Sequence, residues 1–161
     1  MSELHIQDYV NTHGQLEQII DGLSEDQLRW KAAPQSWSVQ EVVSHLVDHS
    51  FVISFRIRDI LANTSVQLPA FEQDAWVIGQ HSNDGNVNDI LEVFRSLLQY
   101  NSLLFRRLSV SDWNKSGVNS RGETVSVADI VRGFVKHVEG HLGQIERTKL
   151  AAISSEVQIQ G

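Results

Sequence analysis

The sequence predicts an all-α protein built as a four-helix bundle. Two observations carry this. Four long segments repeat apolar residues at the three-to-four spacing of an amphipathic helix. No β-hairpin signal and no internal repeat appears.

The first helix is expected from Glu3 to Ile20, with Tyr9, His13, Leu16, Ile19 and Ile20 toward one side. Ser24-Glu25-Asp26-Gln27-Leu28 reads as a short capped turn, and Lys31 to Trp37 as a connection through Pro34. Ser38-Val39-Gln40-Glu41 is a capping box that opens the second helix. The serine hydroxyl accepts from the amide three residues on, and the glutamate reaches back. The stripe of this helix is Val39, Val42, Val43, Leu46, Ile53, Ile57, Ile60 and Leu61, and it should end near Asn63. Val66 to Gly85 has no sustained period and contains Pro69 and Gly79. Connections of that length often carry a short helix or a function, and Asp74-Ala75-Trp76 is placed on such a helix. The third helix runs from Asn88 to Leu108 through Ile90, Phe94, Leu97, Leu98, Leu104 and Phe105. Ser111 to Thr124 reads as a polar loop. Ser126-Val127-Ala128-Asp129 begins the fourth helix, whose stripe is Val127, Ile130, Val131, Phe134, Val138, Leu142 and Ile145. Residues 1–150 are expected to form one bundle domain, and 151–161 a C-terminal tail.

Composition narrows the chemistry. The 161 residues suffice for one buried core. There is no cysteine, so disulfides, thiolate metal sites and a thiol nucleophile of the chain's own are excluded. A metal here must be held by imidazole, carboxylate and water. The formal net charge of −7 argues against a nonspecific nucleic-acid binder and against an anionic membrane surface. No apolar run approaches a membrane span, and Met-Ser-Glu-Leu-His shows no signal-peptide pattern. The expected location is cytoplasmic.

The histidines are the most informative residues. His137 and His141 lie four apart in His137-Val138-Glu139-Gly140-His141. Four residues advance a helix by about 6 Å and little more than one turn, so both rings share a face. His45 and His49 repeat the spacing in Ser44-His45-Leu46-Val47-Asp48-His49. Two facing helices that each offer histidines form a metal cradle. On the helical wheel, His49 falls nearer the centre of its apolar stripe than His45 does.

These residues resemble a known family. Leu28-Arg29-Trp30 followed by Ser36-Trp37-Ser38-Val39-Gln40-Glu41-Val42-Val43-Ser44-His45-Leu46 looks like the start of helix two in DinB/YfiT-like proteins. Val135-Lys136-His137-Val138-Glu139-Gly140-His141-Leu142-Gly143-Gln144-Ile145 is similar to that family's last helix, and Leu68-Pro69 with Asp74-Ala75-Trp76 to its long connection. The resemblance implies a four-helix bundle with a divalent metal on three histidines, one from helix two and two from helix four. Carried over by position, these are His45, His137 and His141. It also implies an activity class, since characterised members include thiol-dependent S-transferases and a mycothiol-dependent isomerase. Others are named as metal-dependent hydrolases.

The remaining candidates have plainer readings. His49 is taken as a core histidine or one bonded behind the ligands. Glu139 is turned away from both neighbouring histidines and reads as solvated, as does Asp48. His5, His13 and His81 are not expected as ligands, with His13, on the inner side of helix one, held in reserve. Trp30 and Trp37 are expected to pack a helix junction, and Trp76 to pack the core ahead of lining a pocket. Arg56 and Gln144 approach the ligand face by helical phase.

The expected protein is a metal-dependent enzyme of the thiol S-transferase or hydrolase type, holding zinc or nickel. Three imidazoles leave a coordination position open, as in catalytic sites. Its partner would be a small molecule, possibly a low-molecular-weight thiol, and it is expected to form a homodimer. The alternative is a non-catalytic metal-dependent binding or stress-response protein. Ligation needs neutral imidazole, so metal binding is expected to weaken as pH falls through about 6.5.

Overall fold

The computed structural model describes residues 3–64 and 67–159. In chain order these form α1 (Glu3–Ile20), α2 (Glu25–Arg29), α3 (Val39–Ala62), α4 (Gln73–Gly79), α5 (Val87–Phe105), α6 (Val110–Asn114), β1 (Ser116–Val118), β2 (Thr124–Ser126) and α7 (Val127–Ile159). The long helices α1, α3, α5 and α7 are the bundle the periodicity predicts. Val66, where the long connection was expected to begin, and residues 160–161 lie outside the described residues.

Local chemistry sets the helix ends. Ser38 Oγ accepts from the Glu41 amide at 3.0 Å, and Glu41 accepts from the Ser38 amide at 2.8 Å. Ser24 with Gln27 and Ser109 with Asp112 form the same reciprocal cap on α2 and α6. α3 stops where Asn63 turns left-handed, at φ 55°.

The packing order is not the chain order. α1 packs mainly against α5 and α7, and so does α3. The first and second long helices therefore occupy diagonal corners, and α3 and α7 are neighbours. That adjacency brings both histidine pairs together. The core between the helices is aromatic at its centre, with Tyr9, Phe94, Phe105 and Phe134 fully buried. Tyr9 meets Phe105 edge-on at a centroid distance of 5.1 Å.

A buried polar cluster joins three of these helices. Asn101 on α5 donates to Tyr9 Oη at 2.9 Å and to Ser54 Oγ at 2.6 Å, and accepts from Arg58 at 3.0 Å. Burial pushes the Tyr9 phenol up to about 12, so it stays protonated. Removing Asn101 takes one buried partner each from Tyr9, Ser54 and Arg58. Asn101→Ala is expected to lower unfolding free energy by about 2–4 kcal/mol in a urea titration.

Two segments differ from expectation. The segment expected as a loop from Ser111 to Thr124 begins inside α6 and continues as the hairpin of β1 and β2, in which Gly117 pairs with Val125, and Val118 with Thr124. Its turn is built by Asn119, whose side chain accepts from the Arg121 and Glu123 amides at 2.9 Å each, and by Gly122 at φ 81°. Gly117 lies against α3, where a Cβ would stand 3.0 Å from Ile60. The second difference is at the C-terminus. The segment read as a tail continues α7 as far as Ile159. Contacts outside the helix hold it: Gln27 donates to Glu156 at 2.8 Å, Lys149 donates to the Ile19 carbonyl at 3.0 Å, and Ala152 is buried.

Candidate metal centre

α3 and α7 bring His45, His137 and His141 to one point, with their ligand-capable nitrogens all within 4.8 Å of one another. His137 Nε2 lies 3.0 Å from His45 Nε2 and 3.1 Å from His141 Nε2. His45 is fully buried, while His137 and His141 are half-buried. The group is thus reached by solvent through its α7 histidines.

The donor set fits a divalent cation. A neutral imidazole has one N–H and one lone pair. Three converging nitrogens cannot all be satisfied by one another, because a single proton bridges one pair well and leaves another pair of lone pairs facing. A cation between them removes the conflict. The spacing also suits one: nitrogens about 2.0–2.1 Å from a tetrahedral zinc stand about 3.3 Å apart.

The protonation states agree. Burial, followed by the charges of the neighbouring imidazoles, pulls His45 down to about 3. Burial and then His141 take His137 down to about 4. His141 is also lowered by burial, against the opposing hydrogen bond from Gln144. All three are therefore neutral near pH 7, the state ligation requires.

The surroundings orient the rings. His141 Nδ1 donates to Gln144 Oε1 at 2.7 Å, which leaves its Nε2 lone pair aimed at the group. Gln144, placed near the histidine face by helical phase, thus holds the His141 ring. Losing such a partner typically costs 10–100-fold in metal affinity. Gln144→Ala is expected to weaken zinc binding by about that factor in a competition titration, with the fold unchanged by circular dichroism.

His49 lies beside the group and outside it. Its ring packs edge-on against His137 at 4.2 Å between centroids and also touches Phe71 and Phe134. Its Nδ1, like that of His45, is buried with no protein partner. Glu139 is exposed. His13 is a core residue against Phe94, with Glu17 3.4 Å from its Nδ1. His81 is exposed on the loop after α4.

Asp48 departs from its expected solvated place. It is half-buried and accepts from Gln80, and burial raises its carboxyl above the ordinary range. Together with Gln40 and Ser44 it forms a row at four-residue spacing on α3. Gln40 donates to the carbonyls of Ser82 and Gly85 at 2.7 and 2.9 Å, and Ser44 meets Ser82 at 3.0 Å. Arg56 donates to the Pro69 carbonyl at 2.7 Å. These bonds fasten both ends of the segment that carries Phe71 and α4.

That segment supplies a wall that apolar periodicity did not indicate. Phe71 lies parallel to His45 at 5.8 Å and meets Trp76 edge-on at 4.9 Å. Trp76 is about half exposed and does not pack the core. Trp37 closes the other side, 4.9 Å from His45 and stacked on His141 at 6.3 Å. Beyond Trp37 opens a cleft of about 550 Å³, lined by Trp30, Gln73, Asp74, Gln144, Arg147 and Thr148 among others. Trp30 and Trp37 therefore line a cleft as well as a helix junction.

A four-helix bundle with a partly buried three-histidine group is the class that fold and site define. The chain belongs to the DinB superfamily, whose model matches residues 9–145. It is 26% identical over 141 residues to a protein of Oceanobacillus iheyensis named provisionally as a metal-dependent hydrolase, a match spanning 88% of this chain and 79% of that one. Its fold is similar to that of YfiT from Bacillus subtilis, described as a probable metal-dependent hydrolase with an unusual four-helix bundle topology. The TM-score is 0.83 at 19% identity, covering 94% of this chain and 89% of that one. It is also similar in fold to a mycothiol-dependent maleylpyruvate isomerase, with a TM-score of 0.69 at 11% identity, covering 96% and 68%. The metal-dependent names of the relatives and the histidine group both point to a divalent metal.

Proposed function

We propose that His45, His137 and His141 hold one zinc or nickel ion, and that the protein is a metal-dependent enzyme of the thiol S-transferase or hydrolase type. The observation that carries this is the convergence of three neutral imidazoles, joined by no carboxylate among the described residues. A set of three protein ligands leaves room for a reactant, whereas structural sites are closed by four. The chemistry a divalent ion supplies at such a site is acidification of a thiol or water, or polarisation of a carbonyl. The chain's own residues do the rest. Gln144 holds the His141 Nδ1 proton and fixes that ring. Trp37 and Phe71 cover the sides of the group. The cleft past Trp37 admits a small organic substrate.

The thiol branch gains support from the fold shared with a mycothiol-dependent enzyme and from the absence of cysteine, which requires any thiol to come from outside. A second reading, a non-catalytic metal-dependent binding protein, is favoured by the lack of an acid in the histidine group. Zinc- or nickel-loaded protein screened with low-molecular-weight thiols, a generic electrophile and activated esters separates the two. Turnover that His141→Ala abolishes supports the enzyme; none across several thiols and esters supports the binding protein.

We also place the protein in the cytoplasm as a homodimer without nucleic-acid partners. Its acidic charge supports the last point, and exposed apolar side chains such as Phe51, Phe55 and Ile78 support self-association. Light scattering after size exclusion should return twice the 18.1 kDa chain mass.

A further inference from the structure

We propose that the cleft beside the histidines is a carboxylate-recognising subsite, in which Arg147 binds the anion and Trp30 and Trp37 flank the body of a small organic acid. This rests on the proposed function only for the ligand's orientation, with its reacting end toward the histidines.

The position of Arg147 carries the argument. It stands six residues after His141 on α7, a rise of about 9 Å. Its side chain does not continue away from the histidines. It folds back over Gly143, where a Cβ would lie 3.5 Å from Nη1. Arg147 thereby lines the cleft together with Gln144, the residue that holds His141.

Arg147 also has no internal anion. Among the described residues no carboxylate pairs with it and its side chain makes no internal hydrogen bond, whereas Arg56 and Arg58, which also lack a carboxylate, donate to internal carbonyls. Its neighbour Glu146 turns to Lys149 instead, at 3.7 Å. The one acid in the cleft lining, Asp74, makes no ion pair with it. A free guanidinium fork matches a carboxylate through two parallel charge-assisted hydrogen bonds, which a neutral ligand cannot make. The indoles of Trp30 and Trp37 offer flat apolar area for the remainder of the molecule. At about 550 Å³ the cleft has the size of a small-molecule site.

The test uses the full chain stripped of metal, with tryptophan fluorescence as readout, and compares 2-naphthoate with its neutral counterpart 2-naphthamide. The parent should prefer naphthoate by about tenfold or more. Arg147→Met should lose that preference while binding naphthamide as before, and Arg147→Lys should retain only part of it. Arg147 is exposed, so these variants should fold. Equal affinity of the parent for the two probes, or a preference that survives in Arg147→Met, overturns the proposal. The carboxylate can belong either to a thiol or to the second substrate. Mercaptosuccinate against succinate on the metal-loaded protein distinguishes them: a thiol increment lost in His141→Ala assigns it to the thiol, and no increment assigns it to the other reactant. Arg147 dependence is required in both cases. Because the naphthoate assay uses metal-free protein, a failed metal assignment leaves its outcome intact.

Discussion

Replacing His141 with alanine is expected to lower zinc affinity by more than about 100-fold. Changes behind the ligands alone cost 10–100-fold, and His141 supplies one of only three nitrogens in the group. His45→Ala should lose at least as much, because that ring is fully buried and reaches His137 Nε2 at 3.0 Å. Glu139→Ala should change nothing, since its side chain is exposed on another face of α7. Titration calorimetry on metal-stripped variants reads all three. His141→Ala binding as tightly as the parent, or Glu139→Ala losing the metal, contradicts the assignment. Loss in His49→Ala with none in His45→Ala would move the helix-two ligand by one turn.

Acid should unfold the metal-free protein early. His45 and His49 fall to about 3 and His137 to about 4 in the folded chain, each chiefly through burial. In the unfolded chain they titrate near 6.5. Between those values the unfolded state binds more protons than the folded one, so stability rises with pH and is lost as pH falls. The window therefore opens near pH 6.5 and closes near pH 3–4. Protonating any of these rings also places a charge beside its neighbours, so the loss of stability is concentrated in this window. The melting temperature of metal-free protein should drop steeply from pH 6.5 to 4.5, and His49→Phe should flatten that slope. A melting temperature constant over this range contradicts the buried, neutral cluster. In the folded protein the same shifts move proton competition for the metal below the 6.5 expected from free histidine.

The helix pattern and the α7 histidines were legible because each rests on local spacing. Val127 to Ile145 keeps its period against one continuous core, and His137 and His141 share a face by helix geometry alone. The choice on α3 was not legible by the same arithmetic. That helix packs against both α5 and α7, so the centre of its apolar stripe points between them. A ligand aimed at α7 sits off that centre, which is where His45 stands and why the wheel favoured His49. The resemblance pointed to His45, the α3 histidine that stands in one group with His137 and His141.

Other features were hidden for different reasons. Phe71 lies in an aperiodic stretch, and its place over His45 depends on bonds from Gln40, Ser44, Asp48 and Arg56 to distant loop atoms. The Gln40, Ser44 and Asp48 row at four-residue spacing was the available signal: polar residues running along a helix beside its apolar stripe need partners. The hairpin is three residues per strand, too short for an alternating pattern, though Asn119 and Gly122 mark its turn. The end of α7 carries exposed Leu150, Ile153 and Val157 and relies on α2 and the end of α1, contacts that no periodicity announces.

The central claim is that three histidines form an open divalent-metal site, and X-ray absorption with metal analysis tests it most directly. Protein purified without a nickel column and dialysed against limiting zinc should hold about one ion per chain. Its spectrum should fit three imidazole nitrogens at about 2.0–2.1 Å with one further light ligand. A chain that takes up no stoichiometric metal, or a spectrum without an imidazole signature, contradicts it.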